Sequence, residues 1–255
     1  ILPLPQFEID LAEQDREIYE RLKPPSSIVV RFGLMFMVGE FPYSGDLKPG
    51  CGSKIVIKSH RGTELGEMLT STCPNSGCSK SVSRKEMLDY IDNSGGKDYP
   101  FFSMQGKALR IATAEDLNEQ ARIDASRPQM TKQAHAIAQR MGLNCKIVDS
   151  EPIIGGEKIT FYFASEDRID FRELVTELAS IHHTRIEMRQ VGARDEARLI
   201  ADYEKCGQHC CCKQFLKVLK PVSMKSAKIQ KATLDPLKIS GRCGRLMCCL
   251  RYEDA

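Results

Sequence analysis

The residues with chemistry to offer are cysteines. Seven of the eleven lie between positions 206 and 249, and they fall into two copies of one pattern. The first copy is Cys206-Gly207-Gln208-His209-Cys210-Cys211-Cys212. The second, starting 37 residues later, is Cys243-Gly244-Arg245-Leu246-Met247-Cys248-Cys249. Both read C-G-x-x-x-C-C, and Cys210 is one thiol more than the pattern needs. Thiolates are soft donors that hold zinc and iron–sulfur clusters in preference to hard cations. Core packing accounts for one or two cysteines, because a free thiol is a small hydrophobe, but not for seven in matched clusters. Structural disulfides belong mostly to small secreted domains. Neighbours such as Cys211 and Cys212 also pair poorly, since a disulfide needs well separated Cα atoms. The doubled motif therefore reads as a soft-metal site.

Spacing leaves the metal open. Four residues separate Cys206 from Cys211, and four separate Cys243 from Cys248. That is the edge of the zinc range and also a step used by plant-type ferredoxins. Glycine straight after the first thiol lets the backbone turn sharply. A helix beginning near Gly244 would aim free amides at an anionic cluster.

The same stretch is basic. Residues 203–255 carry 11 Lys and Arg against 4 Asp and Glu, while residues 1–202 carry 26 against 30. The run Lys213, Lys217, Lys220, Lys225, Lys228 and Lys231 suits phosphate backbones or an acidic partner, and equally a solvated face.

These residues must be positioned by the rest of the chain. At 255 residues with 42% hydrophobic content it can bury a core and form two domains. No run is long enough to span a membrane, and no signal peptide is visible at the Ile1 start. A cytoplasmic location fits reduced thiols. Residues 1–27 read as an appendage, with a short solvated helix over 8–22 ended by Pro24-Pro25. Residues 28–106 read as a β-rich subdomain whose apolar runs at 28–30, 35–38 and 54–58 are separated by glycines, with a glycine-dependent hairpin at 61–67. Within it Cys73 and Cys78 form another C-x₄-C pair. Two thiols cannot complete a tetrahedral site, so exposed thiols are preferred there to extra ligands.

Residues 107–192 read as β-α-β-β-α-β, a ferredoxin-like α+β sandwich. Ala108 to Ile111 opens it as a strand, and Thr113 caps a helix with Asp116 three residues on. Pro128 is expected to kink or divide that helix. Met130, Ala134, Ile137, Ala138 and Met141 share one face, and Gly142 ends it. A hairpin through Gly155-Gly156, a helix capped by Asp170 and a strand at 184–191 follow. His182-His183 reads as a helix end rather than a ligand pair. No phosphate loop and no nucleophile beside a base marks a catalytic centre. A thiol redox enzyme would use C-x-x-C, which the motif does not match.

Several stretches together resemble one family. They are the cysteine motifs, Lys220-Pro221-Val222-Ser223-Met224-Lys225, Lys238-Ile239-Ser240-Gly241, the tail Leu250-Arg251-Tyr252-Glu253, and residues 161–197. All are similar to the bacterial RicT (YaaT) proteins with their PSP-type C-terminal domain, strongly over 107–253 and more weakly over 28–70. Residues 71–106 are longer than the family's usual segment.

That resemblance implies a non-catalytic iron–sulfur subunit with RicA- and RicF-like partners. It would assist an RNase Y-type ribonuclease in mRNA processing and affect developmental regulation. It carries the ligand role to Cys206, Cys211, Cys212, Cys243, Cys248 and Cys249, more than the four a single 4Fe–4S cluster needs. Cys210 stands where the family has an apolar residue. The 193–255 segment would then be the cluster-binding part and a surface for RNA. The alternative is a zinc-stabilised nucleic-acid-binding module.

Overall fold

The computed structural model describes residues 25–50, 52–70, 82–103, 105–230, 232 and 235–253. The expected 8–22 helix, Cys73, Cys78 and Lys231 lie outside them.

Two antiparallel hairpins found the first sheet. One is β1 (Ser27–Phe32) with β2 (Met37–Pro42), the other β3 (Lys54–Ser59) with β4 (Gly62–Met68). With β5 (Phe101–Ser103) and β6 (Gly106–Ile111) the order is β5-β2-β1-β4-β3-β6. β1 shows why it pairs so firmly: Ile28, Val30 and Phe32 enter one core and Val29 enters another on the opposite face. Side chains alternate along a strand, so this run of apolar residues demands cover on both sides. Helix α1 (Arg84–Asn93) supplies one cover through Ile91, started by a Ser83–Glu86 capping box.

The other cover is a second sheet. β7 (Lys146–Pro152), β8 (Lys158–Ala164) and β9 (Arg185–Gln190) stand in that order, β7 antiparallel and β9 parallel to β8. Ile159, Phe161 and Phe163 of β8 pack with Ala134, Ile137 and Ala138 of α2 (Ala114–Arg140) and Leu174 and Leu178 of α3 (Arg172–His182). Tyr162 points the other way, into the first sheet's core. The class is α+β, with a β-rich N-terminal part and a cysteine-rich C-terminal segment, as expected.

Strands and helices from β6 to β9 follow the β-α-β-β-α-β order, but β6 is lent to the first sheet, antiparallel to β3. Its buried residue is Ala108, which joins the core around Ile55 and Ile57. Thr113 and Asp116 form the capping box, and Gly142 follows the helix end at φ +70°. The expected division at Pro128 does not occur: α2 runs through it. Proline removes the N–H that would bond the Asp124 carbonyl. Both residues are exposed, so water can serve that carbonyl.

Charge is buried where the sheets meet. Arg61 Nη2 lies 2.8 Å from Glu151 Oε2 and Arg61 Nε 3.5 Å from Glu64 Oε1, with all three side chains buried. The Tyr162 hydroxyl donates to Glu151 (2.5 Å), and Glu151 also accepts from the Leu34 amide (2.8 Å). The 61–67 stretch, read only as a hairpin, is therefore also the electrostatic joint between the sheets. No helix among the described residues is long and apolar enough to cross a membrane.

Candidate metal centre

Helix α4 (Ala193–Ile200) leads from β9 to the cysteines. It is tied to β7 by Lys146 Nζ–Glu196 Oε1 (2.6 Å) and to the second motif by Arg194 Nη2, which donates to the Leu246 carbonyl (3.3 Å). Beyond it come four short helices among the described residues: α5 (Cys211–Gln214), α6 (Met224–Ile229), α7 (Pro236–Ile239) and α8 (Cys249–Tyr252).

The two motif copies fold alike, bond for bond. In the first, the Glu204 amide donates to Gln208 O (2.8 Å), Gly207 to Glu204 O (3.0 Å) and Cys210 to Asp202 O (3.0 Å), while Tyr203 bridges His209. In the second, Gly241 donates to Arg245 O, Gly244 to Gly241 O and Met247 to Ile239 O, each at 2.9 Å, while Ser240 bridges Leu246. Every partner in the second set stands 37 positions after its counterpart in the first. Each copy is a tight knuckle carrying one thiol on its turn, followed by a single helical turn that carries the adjacent pair. The helix expected near Gly244 begins instead at Cys249.

Glycine makes the turn possible: Gly207 and Gly244 sit at φ +80° and +70°, a region that costs other residues about 1–2 kcal/mol. A Cβ at either would touch nothing within 4 Å, so alanine would add backbone strain alone. Gly244→Ala is expected to weaken metal retention by about 5–30-fold, read by competition with a chelator. Unchanged retention would deny the turn a part in the site.

The knuckles lie side by side. The Glu204 carboxylate accepts from the Lys205 amide (2.9 Å) in one turn and from the equivalent Arg242 amide (3.0 and 3.1 Å) in the other. The thiols they carry converge. Burial, then the neighbouring Cys211, Cys212 and Cys249, push the Cys248 thiol up to about 12. Burial likewise raises Cys249, which feels the Glu253 carboxylate and then Cys211, and Cys212, which faces both Arg198 and Cys243. Cys206 is exposed on its turn. Cys210 is buried at the position equivalent to Met247 and caps α5, the place of an apolar plug.

No three His, Cys, Asp or Glu among the described residues are arranged to hold one ion. Among the described residues the thiols lie near one another without closing a cage. Closing such a cage on a metal would take the protons from these thiols, and metal binding of this kind couples to folding. The segment's own core is small, built on Ala227, Ile239 and Leu250. A soft thiolate-held group suits this donor set.

The lysine run does not form one face. Lys217 is drawn in over the Phe36 ring (5.1 Å), and Lys213 pairs with Asp202 (2.5 Å). Lys220, Lys225 and Lys228 are exposed. The remaining candidates are structural. His182 ends α3 and His183 is its left-handed cap. Asp170 accepts from the Arg172 amide (3.1 Å) one residue before the N-cap Phe171. Arg198 was not singled out by any spacing, and only packing reveals that it is buried beside Cys212.

The PSP1 C-terminal conserved region matches residues 106–191, and the third domain of PSP1-like proteins matches 221–255. Among curated proteins, the chain is 47% identical over 152 residues to stage 0 sporulation protein YaaT of Bacillus subtilis, covering 58% of this chain and 54% of that one. It is 36% identical over 148 residues to protein PSP1 of Saccharomyces cerevisiae, covering 55% of this chain and 16% of that one. An uncharacterised protein of Schizosaccharomyces pombe is 26% identical over 149 residues, covering 52% of this chain and 19% of that one. The chain thus spans about half the length of YaaT and less than a fifth of either yeast relative. No solved structure matches.

Proposed function

We propose, from its matches to the PSP1 C-terminal conserved region and to the third domain of PSP1-like proteins and from its likeness to YaaT (RicT), that this chain is a non-catalytic regulatory subunit whose double knuckle holds an iron–sulfur cluster. The observation that carries the reading is the pair of matching knuckles whose thiols converge around Cys248. Cys206, Cys211, Cys212, Cys243, Cys248 and Cys249 are the residues that would hold the group. Six thiols leave room for a second cluster or for one shared with a partner. When bound, such a cluster supplies one-electron redox chemistry. The chain's own part is to release thiol protons, order the knuckles and exclude water through the small core behind them.

RicA- and RicF-like subunits and an RNase Y-type ribonuclease are the proposed partners, with mRNA processing and developmental regulation as the outcome. Large apolar side chains left exposed on this segment, Leu237 at 79% and also Tyr203, Ile229 and Tyr252, support its being a subunit surface. A zinc-stabilised nucleic-acid-binding module is the second reading, favoured by the exposed Lys220, Lys225 and Lys228.

The test is protein isolated without oxygen, alone and with its partners. Iron with acid-labile sulfide, and the visible charge-transfer absorption of thiolate–iron bonds, are expected. Stoichiometric zinc without iron would establish the second reading instead.

A further inference from the structure

We infer that Arg198, backed by Lys217, is a cationic wall that compensates the negative charge gathered on the knuckle thiolates, and so tunes how tightly and at what potential that site holds its metal. The inference rests on the soft-metal reading of the cysteines.

Arg198 lies in α4, outside both motifs, with its side chain only 7% exposed. Its Nε is buried with no hydrogen-bond partner. Among the described residues the one carboxylate that pairs with it is Asp195, 3.5 Å from Nη1 and itself 40% exposed. Helix α4 packs against α5, the turn that carries Cys211 and Cys212, and the Arg198 charge acts on the Cys212 thiol. Lys217 adds a second cation close by. Its Nζ donates to the Lys213 carbonyl (2.5 Å), and among the described residues no carboxylate pairs with it. Burial, then the nearby Arg198 and Arg31, push its ammonium down to about 8.

Two neighbouring cations, both drawn out of water, are costly unless an anion repays them. A neutral thiol does not. A divalent ion on four thiolates carries a net charge of about −2, and a thiolate-bound iron–sulfur cluster is likewise anionic.

The wall is also braced from behind. Phe36, a bulky residue held at φ +51°, lies between Arg31 (5.5 Å) and Lys217 (5.1 Å) at the β1–β2 turn. Such a backbone persists only where its surroundings over-determine it. The first sheet thereby holds Lys217 against the cysteine segment. Arg198 is a positioning residue in this arrangement. It acts on the sulfur, not on a substrate.

The experiment uses the full chain and two probes, zinc(II) and cobalt(II), titrated against a competing chelator, together with the reduction potential of the iron-loaded form. Arg198→Met is expected to weaken both metals by about 10–100-fold, the usual cost of losing an outer partner of a metal ligand. It should also move the potential to more negative values, because a lost cation disfavours the added electron. Arg198→Lys, which keeps the charge, should recover most of the affinity. Lys217→Met should show a smaller loss in the same direction, and it carries the test if Arg198→Met fails to fold. Wild-type affinity and potential in Arg198→Met or, should that variant not fold, in Lys217→Met would overturn the inference. So would an Arg198→Lys variant as defective as Arg198→Met, which would make the role one of shape. A wild-type chain that takes neither zinc, cobalt nor iron would instead bring down the metal reading itself, and this inference with it.

Discussion

Cys248→Ser protein isolated without oxygen is expected to be almost free of iron and sulfide, while Cys145→Ser stays loaded. Cys248 is the thiol that feels the other pair members, Cys211, Cys212 and Cys249, whereas Cys145 lies beside β7 and its thiol is raised by burial alone. Serine keeps the size but offers a hydroxyl that does not ionise at neutral pH, so it cannot replace a thiolate donor. The loss should exceed the about 10–100-fold that an outer partner costs, because a bond to the metal is itself removed. Cys206→Ser and Cys243→Ser should lose more metal than Cys73→Ser and Cys78→Ser, because the first two open the doubled motif and the others stand outside it. Iron and sulfide per chain are the measurements. Equal loading across Cys248→Ser and Cys145→Ser would mean that the converging thiols are not the site.

The second large effect lies far from the cysteines. Arg61→Met is expected to destabilise the fold by about 3–5 kcal/mol, the cost of stripping a buried charge of its partner. Arg61 faces two buried carboxylates, Glu151 at 2.8 Å and Glu64 at 3.5 Å, and without it these face each other uncompensated. Burial opposes the charge on Arg61, but Glu151 and Glu64 more than offset this and hold it protonated.

The pH dependence follows from Glu64. Burial pushes its carboxyl above the ordinary range despite the pull of Arg61. A folded-state pKa above the unfolded value means that the native state favours the protonated acid. The contribution of Glu64 to stability is then fully present at low pH and is lost as pH rises through the unfolded value toward the folded one. Removing Arg61 takes away the influence that lowers it, so the deficit should be largest near neutral pH and shrink in acid. Denaturant unfolding followed by circular dichroism, at neutral and acidic pH, measures this. A variant within about 1 kcal/mol of wild type at neutral pH would show that the joint between the sheets does not depend on the ion pairs. Glu64→Gln in the Arg61→Met background should recover part of the loss, because it removes one of the two stranded charges.

Local chemistry made much of this molecule legible from its sequence. Thr113 and Asp116 start a helix because a hydroxyl and a carboxylate three apart satisfy one another's amides, and Gly142 ends it because glycine accepts a positive φ. The doubled C-G-x-x-x-C-C is visible by inspection, and the glycine in each copy already implies its turn. Tertiary structure decided what these pieces meet. Arg61 and Glu151 lie 90 positions apart and come together only because one sheet lies on the other. Alternation along a strand says which residues share a face, but not which surface will cover it. That is why β6 could be recognised as a strand while its place in the first sheet could not. The lysine run showed charge, but burial of Lys217 over Phe36 depends on a turn near the other end of the chain. Arg198 is the clearest case. Nothing in the sequence pattern marked it, and only the packing of α4 against α5 sets it beside Cys212. The energy of a charge is set by its neighbours and by the water they exclude, and both are properties of the folded chain.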